Sequence, residues 1–276
     1  MSTNWSNVER TFIEVSGKKE SYDIEKAPLI EVQNVYELGK IVALTFLEWV
    51  WENPSGVVAL PTGKTPEYFI KTLERYKSKW DDESVQHELR SHGYSYDSFP
   101  DTKNLKFVML DEFFPMLPTH RNSFCNYIRM FYTSLLGISV DNILDFDLVS
   151  HGILDHDELK ALVGKDVDLS LLTRDAENED EARYKSILIR VQGYCDTYEQ
   201  KIREMGGLGY FLGGIGPDGH IAFNQEGCDH DCKTRYLGLY FLYFRIESFF
   251  RRIYMILLVV PQTGVLQLSH CCRRCK

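Results

Sequence analysis

Basic charge is what this chain has too little of to grip a nucleic acid. Lys and Arg number 31 against 40 Asp and Glu, a formal charge of −9, and no basic stripe runs through the body of the chain. Phosphate backbones are held by clustered cations, so no nucleic-acid partner is expected. A small anionic ligand is not excluded by net charge, because a helix N-terminus with one or two cations suffices to hold it. The first 25 residues lack the apolar stretch of a signal or transit peptide, and the expectation is a cytoplasmic protein. Cysteine is sparse and odd in number, seven in all, with Cys125 and Cys195 alone in helical patterns, which argues against a disulfide framework. A Walker A loop is missing. Leu237 to Val260 is long enough to cross a bilayer, but Arg245, Glu247, Arg251 and Arg252 interrupt it, so no membrane partner is expected. Neither Cys228, His230 and Cys232 nor His270, Cys271, Cys272 and Cys275 offers two well-spaced ligand pairs, and no metal is expected.

What is there is enough apolar material, 44% of 276 residues, for one sizeable core. Val35, Leu38, Ile41, Val42 and Phe46 recur at helical spacing until Asn53, Pro54, Ser55 and Gly56 break the pattern. Val57, Val58, Ala59 and Leu60 then form a short apolar run, the mark of a strand covered on both faces. A loop at residues 61–64 leads to a helix with Thr65 as N-cap, Pro66 as its first residue and Phe69, Leu73 and Tyr76 on its inner face. Residues 77–102 read as a polar excursion. Phe107, Val108, Met109 and Leu110 repeat the buried-strand signature, a helix is expected from Ser123 to Leu136 ending at Gly137, and residues 141–181 read as acidic and irregular with one short strand near Ile143. A long helix from about Glu181 to Met205 closes at Gly206 and Gly207, and Tyr210, Phe211 and Leu212 open a further strand. Alternating strands and helices predict a doubly wound, mainly parallel α/β sheet.

In such sheets ligands gather beyond the carboxyl ends of the strands, and three chemically marked segments sit there. After Leu60, Thr62, Gly63, Lys64 and Thr65 bring backbone N–H groups and a cation to a helix start, which suits a phosphate or carboxylate; an ordinary tight turn with a cap would look the same. After Leu110, Asp111 and Glu112 place carboxylates where partial desolvation makes a base; an acidic pair capping a helix is the other reading. After Leu212, residues 213–224 are dense in glycine and carry Asp218 and His220, so that the carboxylate can set the tautomer of an imidazole able to move protons. A glycine-rich turn with a structural histidine is the alternative.

Three blocks together resemble the glucosamine-6-phosphate deaminase and isomerase family. They are Leu60 to Pro66 (Leu-Pro-Thr-Gly-Lys-Thr-Pro), Asp111-Glu112-Phe113 followed by His120 and Ser123, and Gly216 to Asn224 (Gly-Pro-Asp-Gly-His-Ile-Ala-Phe-Asn). The resemblance implies a Rossmann-like doubly wound fold, incomplete at the C-terminus, and a small-molecule sugar phosphate as partner. It implies Asp111 as the base at the C2 proton, His220 in ring opening and Asp218 behind the imidazole. It places Thr62, Gly63, Lys64, Thr65, Glu112, Gly216, Gly219, Asn224 and Gln225 around the substrate, with fructose 6-phosphate and ammonia as products. It implies no metal and no cofactor; assembly into a homo-oligomer is a further expectation.

The chain departs from the family in two places. Gln225 stands where characterised deaminases carry a glutamate that pairs with the histidine, and Glu226 lies one position on, as in the longer, deaminase-like members. Beyond Arg235 the resemblance stops, which divides the chain into a sugar-phosphate isomerase/deaminase-like domain at 1–235 and an aromatic, basic tail at 236–276. The family's later arginine and lysine that clamp the phosphate have no counterparts there. A rival of the same fold, the 6-phosphogluconolactonases, shares Gly-x-Asp-Gly-His but not the Ile-Ala-Phe-Asn that follows; a non-catalytic sugar-phosphate-binding protein is the other alternative. The tail is expected to replace the family's C-terminal third through a shifted reading frame, and mass spectrometry of the native protein should therefore detect no tail peptides.

Overall fold

A strand buried on both faces needs a neighbour on each side, and β1 (Val57–Ala59) has two. In the computed structural model it pairs in parallel with β2 (Lys106–Val108) through Val57 opposite Lys106, and with β4 (Tyr210–Phe211) through Val58 opposite Tyr210. β3 (Ile143–Leu144) pairs in parallel with β2, giving the order β3-β2-β1-β4. The structure describes residues 5–16, 29–215, 220, 222, 224, 227 and 233–236. Among the site residues expected from the sequence, Gly216, Asp218, Gly219 and Gln225 lie outside these, as do residues 237–276 of the tail.

Side chains alternate across the sheet with period two. Val58, Leu60, Phe107, Met109, Tyr210 and Leu212 enter one apolar cluster, with residues of α1 (Asn7–Glu14), α2 (Val35–Glu52), α3 (Glu67–Ser78) and α4 (Glu83–Ser91). Val57, Ala59, Val108 and Leu144 enter a second, with residues of α7 (His156–Leu162) and α8 (Glu179–Glu204). Helices cover both faces, so the sheet is doubly wound, as the alternation of elements predicts. The connections from β1 to β2 and from β2 to β3 run over the first face, whereas α8 returns over the second and delivers β4 beside β1. The chain therefore reverses its direction of travel across the sheet between β1 and β4.

Local sequence accounts for most element ends. Asn34 caps α2 by accepting from the N–H groups of Tyr36 and Glu37, and α2 is buried almost all round from Ile41 to Val50, as befits a helix clasped between others. The helix expected from Ser123 to Leu136 forms as α5 (Phe124–Tyr127), a π-helical stretch Ile128–Thr133 and α6 (Ser134–Leu136), closed by Gly137 at φ 69°. α8 starts two residues before the expected Glu181, capped by Asn178.

Three expectations are corrected. Pro66, not Thr65, occupies the cap position of α3; Glu67 is its first residue, and no side chain caps it, because the Lys64 carbonyl accepts from Glu67 N in a last turn ahead of the helix. The excursion over 77–102 contains α4, capped by Asp82, whose inner face is only Val85 and Leu89, too few apolar residues to show as a period. The irregular stretch after β3 holds α7, begun by a capping box between Asp155 and Glu158. The polar N-terminal segment, for which the sequence suggested no element, carries α1, begun by a capping box between Ser6 and Glu9, which buries Val8 and Phe12 against the first cluster.

α2 meets α3 at Gly39, where a Cβ would stand 2.8 Å from the carbonyl carbon and oxygen of Tyr68. Backbone cannot yield as a flexible side chain can, so Gly39→Val should destabilise the fold by about 1–3 kcal/mol. The measurement is the urea midpoint, expected to fall with an unchanged m-value.

Candidate active site

Because β1, β2 and β4 are parallel neighbours, the segments that follow them leave the same edge of the sheet. These are the three segments marked by the sequence. The first and third meet side by side at the point of chain reversal: a Cβ at Gly214 would stand 3.1 Å from Thr65 Cγ2. Gly63 lies at φ 77°, with open space where its side chain would be; a residue with a Cβ would be strained there. Thr62 and Thr65 are half-buried, Gly63 and Lys64 exposed. The loop is held from beneath by Tyr132, whose buried hydroxyl donates to the Pro61 carbonyl at 2.6 Å.

The second segment divides its two carboxylates sharply. Glu112 Oε1 accepts from the N–H groups of Phe113 and Phe124, both at 3.0 Å, and Oε2 from Ser123 Oγ at 2.7 Å and Cys125 N at 2.9 Å. The helix-capping alternative is thus realised by Glu112, which sits at the start of α5 together with the N-cap Ser123. Asp111 has no hydrogen-bond partner among the described residues. Burial, with the Glu112 charge beside it as the lesser cause, pushes the Asp111 carboxyl up to about 7. Two residues earlier in the chain, the Met109 carbonyl accepts from Tyr198 Oη at 2.8 Å, and the same hydroxyl lies 2.9 Å from the Leu144 carbonyl. α8 therefore pins the ends of β2 and β3 together.

Of the third segment, His220 is half-buried and Asn224 exposed. Asn224 Oδ1 accepts from Arg235 Nη2 at 3.0 Å. The segment after it is tied to α8, where Glu199 Oε1 accepts from Thr234 N and Oγ1 at 3.2 and 2.8 Å. Tyr236 then packs edge-on against Phe114, with ring centroids 5.2 Å apart, so the chain beyond the third block touches the loop that carries Asp111. Two surface hollows lie elsewhere: one of about 400 Å³ between Tyr36, Lys40, Tyr68 and Arg75, and one of about 550 Å³ beside Met130 and Phe131. No cluster of metal-ligating side chains occurs among the described residues, and none of their helices is long and apolar enough to cross a membrane.

Tyr132 and Tyr198 were not marked by the sequence. Each reads as one more aromatic on a helix's inner face, and nothing local says which carbonyl its hydroxyl will meet.

The fold and this edge define a doubly wound parallel α/β protein with a desolvated acid beyond β2, the strand next to β1 on the side away from the chain reversal. Sequence comparison specifies the relationship further. No family model matches the chain. Glucosamine-6-phosphate deaminase from Geobacillus sp. is 28% identical over 211 residues, 76% of this chain and 62% of that protein. The enzyme of the same name from Borrelia hermsii is 28% identical over 167 residues, 60% of this chain and 58% of its own. Glucosamine-6-phosphate deaminase 2 of Mus musculus is 56% identical over 45 residues, 16% of each chain. A solved monomeric glucosamine-6-phosphate deaminase superposes with a TM-score of 0.49 at 20% identity, covering 75% of this chain and 62% of that one. By sequence the chain is similar to proteins named glucosamine-6-phosphate deaminase, and it spans less than two thirds of the length of these relatives.

A raised carboxyl makes stability depend on pH in a definite direction. Asp111 is protonated in the folded state up to about pH 7, whereas in the unfolded chain it ionises near 3.9. The folded state therefore holds more protons between these values, and the stability associated with this group is present below about pH 4 and lost as pH rises to about 7. Asp111→Asn should match the parent near pH 4 and exceed it at pH 8 by an amount on the order of a few kcal/mol. Denaturant midpoints at both pH values test this; buried Glu48, also pushed up to about 7, is common to both proteins and cancels in the comparison.

Proposed function

We propose that this chain is a deaminase-like enzyme acting on a phosphorylated amino sugar, converting glucosamine 6-phosphate and water into fructose 6-phosphate and ammonia. The observation that carries the reading is Asp111: a carboxyl set just beyond a central parallel strand, without a hydrogen-bond partner among the described residues and pushed up to about 7 by burial. Moving a proton from C2 requires a base of that strength, held out of bulk water.

In this reading the sugar's phosphate lies on the loop of Thr62, Gly63, Lys64 and Thr65. The uncapped start of α3 and the Lys64 ammonium favour an anion there. His220, with Asp218 behind its imidazole, moves a proton between the ring oxygen and the C1 hydroxyl to open the ring. Asp111 then takes the C2 proton and returns it at C1, and water replaces nitrogen at C2 as ammonia leaves. No step calls for an electron sink, so the scheme uses no cofactor or metal. The resemblance adds Gly216, Gly219, Asn224 and Gln225 as groups that would contact the sugar.

A second reading, a sugar-phosphate-binding protein without turnover, is favoured by one observation. Gln225 is a neutral amide where the family's histidine partner is a carboxylate, and an amide cannot hold the imidazole's proton as a charge does. The lactonase alternative is disfavoured by the Ile-Ala-Phe-Asn after the Gly-His pair.

An ammonia-release assay on glucosamine 6-phosphate separates the readings. The enzyme should release ammonia, and Asp111→Asn should lower kcat by about 10²- to 10⁴-fold while sugar-phosphate binding, followed by calorimetry, persists. Binding without release in the parent protein would establish the second reading; turnover retained in the variant would remove Asp111 from the role of base.

A further inference from the structure

Neighbouring carboxylates at a strand end offer two groups for one task, and the resemblance places the second, Glu112, among the substrate ligands. Its surroundings assign it differently. An ionised carboxylate has about four acceptor positions, and those of Glu112 are filled: Phe113 N and Phe124 N on Oε1, Ser123 Oγ and Cys125 N on Oε2, all between 2.7 and 3.0 Å. A sugar hydroxyl could bind only by displacing one of these. The donors come from both sides of the 111–125 loop. Ser123 is 1% exposed and Cys125 2% exposed, so their bonds are shielded from water, and the Cys125 thiol packs against Met109 Sδ at 3.7 Å, which returns the contact to the end of β2.

We propose that Glu112 is the positioning residue of this site and not a ligand of the sugar: its carboxylate closes the 111–125 loop onto the start of α5 and thereby fixes where Asp111 stands. This inference rests on the reading of Asp111 as the proton-transferring group. The division of labour follows from the geometry. Glu112 spends all its acceptor capacity on the protein, which leaves Asp111, without a partner among the described residues, to exchange protons. The Glu112 charge also acts on Asp111 directly, adding to burial in the same direction. Among the described residues the loop also carries His120 and Arg121, both exposed; beside it stand Asp145, whose field reaches Cys125, and Arg129, 3.8 Å from Asp145 and 2.6 Å from Asp147. Arg129 is thus engaged by carboxylates of the β3 side.

The test uses the full chain with Glu112→Gln, which keeps the side chain's size but removes its charge and turns one acceptor into a donor facing N–H groups. Two readouts are taken: the titration of the Asp111 carboxyl carbon by NMR, and kcat and KM for ammonia release. Positioning predicts that the Asp111 midpoint moves to lower pH and that kcat falls about 100-fold with KM little changed, the effect of a misplaced reacting group. A tenfold or greater rise in KM with kcat kept would make Glu112 a substrate ligand and overturn the proposal. A loss of thermal stability with the Asp111 midpoint and kcat unmoved would make it a purely structural cap, and overturn it equally. If Glu112→Gln does not fold, Glu112→Asp, which retains charge but shortens the reach to Phe124 N and Cys125 N, is judged by the same kcat and KM criterion. If the parent protein releases no ammonia, the functional reading fails by itself, while the NMR midpoint still decides whether Glu112 governs Asp111.

Discussion

Everything at the candidate site depends on β1 being paired in parallel on both of its edges. One strand flanked by β2 and β4 puts three chain segments, about 50 and 100 residues apart in sequence, on a single rim. The first and third of these segments abut where Gly214 meets Thr65. At the chain reversal between β1 and β4 the connections diverge to opposite faces of the sheet, the place where ligands gather in open α/β sheets.

On that rim two adjacent carboxyls are separated by environment, not by chemistry. Glu112 faces four donors and is bound into the protein; Asp111 is desolvated and unpartnered among the described residues. Burying an acid in this way costs stability once the pH favours its charged form, and the fold offsets that cost elsewhere, in two apolar clusters that sandwich the sheet. Such local disagreement between stability and placement is what sites of proton transfer are built from. A raised carboxyl is not by itself a sign of function, however. Glu48 is raised by burial in the same way, yet it lies on α2, 8% exposed, and belongs to the helical layer beneath α1. Position at the sheet's carboxyl edge distinguishes the two.

Rigidity at the rim comes from behind it. Tyr132 reaches from the π-helical stretch to the Pro61 carbonyl, and Tyr198 reaches from α8 to the ends of β2 and β3. The Pro61 and Met109 carbonyls lie just past the ends of β1 and β2, where the ladders stop, and the Leu144 carbonyl, which already accepts from Met109 N, gains a second contact. The pinning therefore serves backbone hydrogen bonding and the placement of loops together. Thr234 and Tyr236 extend the same bracing from the far side of the third segment, onto Glu199 and Phe114.

The sequence by itself determined the strands and the two long helices, and it marked three loops that the fold places at the carboxyl edge of the sheet. Their signals are local: apolar runs of strand length, helical spacing of apolar residues, and glycines where a helix ends or a turn requires positive φ. The order of the strands, the meeting of the first and third loops, and the opposite fates of Asp111 and Glu112 were decided only by tertiary structure. The two carboxyls are next to each other in the chain and equally acidic in composition. What separates them is that donors from residues 123–125 come within 3.0 Å of one and not the other, a distance set by how a helix packs on a sheet. Short elements such as α1 and α4 stayed illegible for a related reason. Their few apolar residues acquire meaning only against a surface that the rest of the chain has already built.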